Sequence, residues 1–107
     1  MYSKYSNIKT VTADGIKHDS RKEARRWVEL TLLQRAGEIS DLKRQVRYEL
    51  IPKQEGERAV TYIADFVYTD KKTGTTIVED CKGYKTDVYK LKKKLFLYRY
   101  GIKIKET

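Results

Sequence analysis

The sequence predicts a mixed α/β domain: a small N-terminal hairpin, then elements in the order α-β-β-β-α-β around a mixed central sheet. Three observations carry that expectation. Two stretches, Ala24 to Leu33 and Val88 to Tyr98, place apolar residues at helical spacing behind a residue that can cap a helix. Between them lie three runs rich in β-branched and aromatic residues, two of them joined by a short polar turn. A last alternating run, Ile102-Lys103-Ile104-Lys105, follows Gly101. The 107 residues are read as one domain, 1–107, large enough for a modest core.

Asp14-Gly15 between Thr10-Val11-Thr12 and Ile16-Lys17-His18 signals the small hairpin. Ser20-Arg21-Lys22-Glu23 fits a capping box, in which Ser20 accepts from the Glu23 amide and the Glu23 carboxylate reaches back to the cap amide. Ala24, Trp27, Val28, Leu30, Thr31, Leu32 and Leu33 then form a broad apolar face that stops at Ala36-Gly37. Leu42 to Ile51 alternates imperfectly and reads as a strand ending at Pro52, with Lys53 to Arg58 as a loop. Thr61 to Tyr68 and Thr75 to Lys82 form a second hairpin around Asp70 to Gly74, and Gly83 ends it. Thr86-Asp87 starts the second helix. Val88, Leu91, Leu95 and Tyr98 are expected to be its buried stripe, with Lys90, Lys92, Lys93 and Lys94 covering the remainder.

Composition narrows the chemistry. One cysteine, Cys81, and one histidine, His18, exclude an internal disulfide, a Cys/His zinc site and Cys/His nucleophilic catalysis. Cys81 is expected to be a small buried hydrophobe and His18 a surface residue. No apolar run approaches the roughly 20 residues that span a membrane, and the polar start lacks a signal-peptide core, so a soluble intracellular protein is expected. The net charge is +9, yet residues 82–107 hold nine Lys/Arg against two acids. Such a field favours a polyanion, and nucleic acid is the commonest polyanionic partner of small basic domains. Tyr84, Tyr89, Tyr98 and Tyr100 lie among those lysines, where they can pack half-buried surfaces or stack on unpaired bases.

The second hairpin concentrates the acids. If its turn is centred between Lys72 and Thr73, Val67 faces Val78 and Asp65 faces Asp80. Directly opposed carboxylates about 5 Å apart repel by roughly 3 kcal/mol at an effective dielectric of 20. A divalent cation between them would remove that penalty, since hard cations take carboxylate oxygens. Strand alternation puts Asp80 and Lys82 on one face and Glu79 and Cys81 on the other, which selects Asp80 over Glu79 as the ligand.

Asp65, then Asp80-Cys81-Lys82 on the next strand, with Glu23 in the preceding helix, resembles the PD-(D/E)XK nuclease superfamily. Its restriction-endonuclease-like core has the order αβββαβ, and the likeness runs from about Ser20 to Lys105. Asp14 to Ser20, Tyr62 to Phe66 and Val88 to Phe96 further resemble a family of small phage and prophage proteins of unassigned function within that superfamily. Ala64 stands where the superfamily's proline precedes the aspartate, and that proline carries no chemistry.

The resemblance implies a metal-dependent DNA endonuclease, and by analogy with Holliday-junction resolvases one acting on branched or junction DNA. Asp65 and Asp80 would hold Mg²⁺ or Mn²⁺, with the Cys81 backbone carbonyl completing the shell and Glu23 a further ligand. Lys82 would orient or deprotonate the attacking water. Lys85, Lys90, Lys92, Lys93 and Lys94 are the expected phosphate contacts. A homodimer would place two sites on two strands, and the cytoplasm of a phage-bearing bacterium is the implied setting. Structural roles fit some of the same residues: the capping box accounts for Glu23, and a salt bridge to either aspartate accounts for Lys82. The rival functions are a non-catalytic nucleic-acid-binding module of this fold and a protein-interaction domain with a basic surface.

Overall fold

In the computed structural model, which describes residues 9–81 and 84–107, Ser20 caps the first helix as its sequence requires. Its Oγ accepts from the Glu23 amide at 3.1 Å. The return bond lands one residue earlier than expected, with Glu23 Oε2 accepting from the Asp19 amide at 3.3 Å. The elements are β1 (Thr10–Val11), β2 (Lys17–His18), α1 (Arg21–Arg35), β3 (Ile39–Ile51), β4 (Val60–Asp70), β5 (Thr76–Asp80), α2 (Asp87–Tyr100) and β6 (Lys105–Glu106). Thr86 caps α2 by accepting from the Tyr89 amide at 3.0 Å, and Gly101, at φ 67°, closes it in the left-handed region.

β1 and β2 pair as a separate ribbon, and the four-stranded sheet runs β3-β4-β5-β6. β3, β4 and β5 are antiparallel neighbours, whereas β6 lies parallel to β5 after the α2 crossover. The order α-β-β-β-α-β and the mixed sheet are as the sequence predicts. Val67 pairs with Val78, the expected register, and the regular ladder ends at Phe66 opposite Glu79. β3 starts at Ile39 rather than Leu42, because Ile39 and Ser40 pair with Asp70 and Thr69 ahead of an irregularity that includes Asp41 at φ 55°. β6 starts later than expected. Ile104 is buried, but pairing begins only where Lys105 meets Glu79.

Each helix covers a different part of the sheet. Leu30 of α1 packs with Ile39, Phe66 and Tyr68, joined by Trp27, Leu42, Ile77 and Cys81. Tyr89 and Phe96 of α2 pack with Leu50, Tyr62, Ala64, Val67, Val78 and Ile104, joined by Val46 and Tyr48. The fully buried residues of α2 are therefore Tyr89 and Phe96, with Leu95 of the expected stripe packed beside them. Val88, Leu91 and Tyr98 of the expected stripe are exposed, Tyr98 at 90 %. The aromatic rings decide this: Phe96 lies 4.9 Å from Tyr48 and 5.5 Å from Tyr62, centroid to centroid, both edge-on. On α1 the apolar face is narrower than expected, with Val28, Leu32 and Leu33 left exposed.

His18 also departs from expectation. It is buried, its Nε2 lies 3.2 Å from Thr12 Oγ1, and its ring sits 6.1 Å from Trp27. The reason is that the small hairpin is clasped onto α1, with Trp27 Nε1 donating to Asp14 Oδ2 at 2.6 Å. Burial and the nearby Arg44 hold the imidazole below its ordinary pKa. No helix among the described residues is long and apolar enough to cross a membrane.

Candidate active site

The alternation of β3 and β4 changes hand at one place. In a regular strand residues two apart share a face, yet Leu42 packs on the α1 side and Val46 and Tyr48 on the α2 side. β4 does the same: Ala64 belongs to the α2 cluster, whereas Phe66 and Tyr68 belong to the α1 cluster. Pairing keeps one register across this point, Arg44 with Phe66 and Val46 with Ala64. The residues between are Gln45 and Asp65, and Gln45 adopts φ 53°.

Polar groups converge there. Asp65 Oδ2 accepts from the Cys81 backbone amide at 2.7 Å, which fastens β4 to the end of β5 beyond the regular ladder. Gln45 Nε2 donates to Glu23 Oε1 at 3.0 Å and makes a long 3.5 Å contact with Asp65 Oδ1. Glu23 is buried at 4 % exposure, so its carboxylate has lost most of its water. That burial, with Asp65 nearby, pushes the Glu23 pKa up to about 6. Both carboxylate oxygens of Glu23 are engaged: one serves the Asp19 amide, the other Gln45.

Asp80 is fully buried, and its Oδ2 accepts from the Tyr62 hydroxyl at 2.6 Å. Burial and this bond to Asp80 hold the Tyr62 phenol well above its usual pKa. Glu79, the neighbour on the opposite face, is held by Arg26 Nε and Nη2 at 2.8 and 2.7 Å and by the Tyr68 hydroxyl. Burial penalises its charge, but those bonds prevail and keep its pKa below the usual value. Glu79 thus serves to dock α1 on the sheet.

Glu23 and Asp65 are brought together through Gln45, and Asp65 reaches the Asp80-Cys81 backbone. Asp80 is occupied beneath Tyr62. Among the described residues no three His, Cys, Asp or Glu side chains gather at metal-binding spacing. Lys82 lies outside the described residues. Cys81 is half-buried, and burial pushes its thiol up to about 11, so it is inert at neutral pH. Gln45 and Tyr62 were not among the residues the sequence singled out, although the imperfect alternation of Leu42 to Ile51 was the trace of the face change at Gln45.

The lysines of α2, and Lys85 just ahead of it, differ among themselves. Lys85 and Lys93 reach Glu106 Oε1 at 3.1 and 3.2 Å. Burial opposes the charge of Glu106, but Lys85, Tyr89 and Lys93 together prevail and hold its pKa down to about 2. Lys90 and Lys94 are exposed and make no ion pair among the described residues. Together with Lys103, these four lysines rim a groove of about 470 Å³ floored by Leu97 and Ile104. Tyr84 and Tyr98 are exposed, Tyr89 is buried, and Tyr100 donates to the Glu49 carbonyl at 2.7 Å.

A family model described as "Protein of unknown function (DUF1064)" matches residues 2–107. The chain belongs to this family. The match spans the hairpin, both helices and every strand of the sheet, so the Glu23-Gln45-Asp65 cluster and the α2 lysines all lie within the family's extent. No curated protein matches the chain, and no solved structure does.

Proposed function

We propose that this member of the family is a metal-dependent DNA endonuclease acting on branched or junction DNA. The observation that carries the reading is Asp65, with one carboxylate oxygen on the Cys81 amide and the other facing Gln45 and, through it, buried Glu23. The donors are hard oxygens, the type that Mg²⁺ and Mn²⁺ take, so they fit the ion that the PD-(D/E)XK resemblance implies. Such an ion, when bound, polarises a phosphoryl oxygen and lowers the pKa of a water. Asp65 and Glu23 would hold it with the Cys81 carbonyl, and Asp80 would join them by giving up the Tyr62 hydroxyl. Lys82 would orient the attacking water, and Lys85, Lys90, Lys92, Lys93 and Lys94 would seat the phosphates. A homodimer would act on two strands, in the cytoplasm of a bacterial host. The test is labelled linear, flap, fork and four-way-junction DNA with Mg²⁺, Mn²⁺ or EDTA. Cleavage of branched substrates that needs metal and disappears in Asp65→Ala and Asp80→Ala is expected; cleavage unchanged in both variants overturns the reading.

One observation favours a second reading, a non-catalytic nucleic-acid-binding module. Asp80 is fully buried with its carboxylate engaged by Tyr62, as suits a structural acid. Calorimetry separates the two. Mn²⁺ binding lost in Asp65→Ala supports the nuclease, and DNA binding indifferent to metal, with no cleavage, supports the module.

A further inference from the structure

We propose that the groove between α2 and β6 receives an unpaired DNA strand, with its bases on the apolar floor and on Tyr98 and its phosphates on Lys90, Lys94 and Lys103. The inference rests on the DNA-binding part of the reading above and names the part of a branched substrate that this surface takes.

Charge selects a polyanion. Lys90, Lys94 and Lys103 are exposed on the groove rim and make no ion pair among the described residues. Glu106 also lines the groove, but its charge is already answered there: Lys85 and Lys93 reach one oxygen, and the Tyr89 hydroxyl donates to the other at 2.9 Å. The three exposed ammoniums therefore set the sign of the surface.

Apolar surface selects the form of that polyanion. Below the lysines lie Leu97 and Ile104, in a cavity of about 470 Å³. Duplex DNA presents phosphates on its outside and base edges within its grooves, so it would leave an aliphatic floor uncovered. An unpaired strand also offers the flat faces of its bases, which pack on aromatic and apolar side chains whatever the base. Tyr98 supplies the aromatic ring. It is 90 % exposed, follows Leu97 directly and stands one helical turn after Lys94, so a strand held by Lys94 passes within reach of it. Leu97 and Ile104 carry no side-chain donor or acceptor to read a base edge, so binding should be indifferent to sequence. An acidic polypeptide would match the lysines but brings no row of flat rings for Tyr98 and the floor.

Fluorescence anisotropy in EDTA, where a metal-dependent nuclease does not cut, compares a labelled single strand, the same sequence as blunt duplex, and a fork. Wild-type protein should bind the single strand and the fork about tenfold more tightly than the duplex. Tyr98→Ala and Leu97→Ser, both at exposed positions, should each weaken single-strand binding about five- to tenfold, the effect of one lost base contact, and spare the duplex. Neither removes a charge, so the salt dependence should not change. Tyr98→Trp should keep the wild-type affinity. Duplex bound as tightly as single strand, equal losses on both in the two variants, or no loss in either overturns the proposal and leaves DNA binding itself standing. Poly-L-glutamate that displaces the labelled strand as well as unlabelled strand does means that the groove takes an acidic protein chain, and overturns it too. Protein that binds none of the DNAs overturns the DNA reading and the proposal together. Single-strand preference with no cleavage in Mg²⁺ or Mn²⁺ supports the proposal and overturns only the nuclease.

Discussion

At the scale of single residues, buried charge governs what the site tolerates. Burial first, and then Asp65, raises the Glu23 pKa from the ordinary 4.5 to about 6. The folded chain therefore holds this proton more tightly than the unfolded chain. Stability contributed by protonated Glu23 is present at low pH and is lost as pH rises from about 4.5 through about 6, a change on the order of 2 kcal/mol. In EDTA, urea unfolding from pH 4.5 to 7.5 should show that decline, and Glu23→Gln should flatten it and be the more stable form at pH 7.5. Glu79 shows the opposite case, a buried carboxylate held by Arg26 and Tyr68. Arg26→Ala would leave that charge buried without its cation and is expected to destabilise by about 3–5 kcal/mol. Adding Glu79→Gln should recover part of the loss, measured by the same unfolding curves.

At the scale of elements, the two faces of α2 make contrasting predictions. Phe96 is fully buried against Tyr48 and Tyr62, whereas Leu91 is 59 % exposed. Phe96→Ala should cost about 3–5 kcal/mol, and Leu91→Ala should fall within about 0.5 kcal/mol, the range of ordinary surface changes. The reverse result in denaturant titrations would restore the aliphatic stripe that the sequence suggested. Leu95 packs against the core as expected, but the stripe misled at Val88, Leu91 and Tyr98 because it and Tyr89-Phe96 both repeat at helical spacing, and only the rings waiting on β3 and β4 distinguish them. Local features were legible: the Ser20 and Thr86 caps, the Asp14-Gly15 turn, and the register that pairs Val67 with Val78. Asp65 could be nominated from the register, whereas Glu23 entered as a site candidate only through the resemblance. The Tyr62 bond to Asp80 and the Gln45 link could not be read there, because each depends on side chains far apart in sequence meeting, one across β4 and β5 and the other where β3 and β4 change faces.

At the scale of the whole molecule, the proposed DNA binding turns on which part of the +9 charge can meet a phosphate backbone. A lysine already paired with a carboxylate releases little counterion when DNA arrives, whereas an unpaired one contributes fully to the salt dependence of binding. Lys85, just ahead of α2, and Lys93 on it are committed to Glu106, whereas Lys90 and Lys94 stand exposed on that helix. DNA affinity measured across a series of salt concentrations should therefore give a steep log–log slope. Lys90→Ala and Lys94→Ala should each lower that slope by about 0.9, the value for one lost phosphate contact. Lys85→Ala and Lys93→Ala should weaken binding by uncovering the Glu106 charge, with a smaller change in slope. Equal slope changes for all four would mean that DNA breaks the Glu106 pairs on binding. In that case the groove rimmed by these lysines opens to the phosphates as a unit, and Glu106→Gln would then raise affinity by freeing two cations at once.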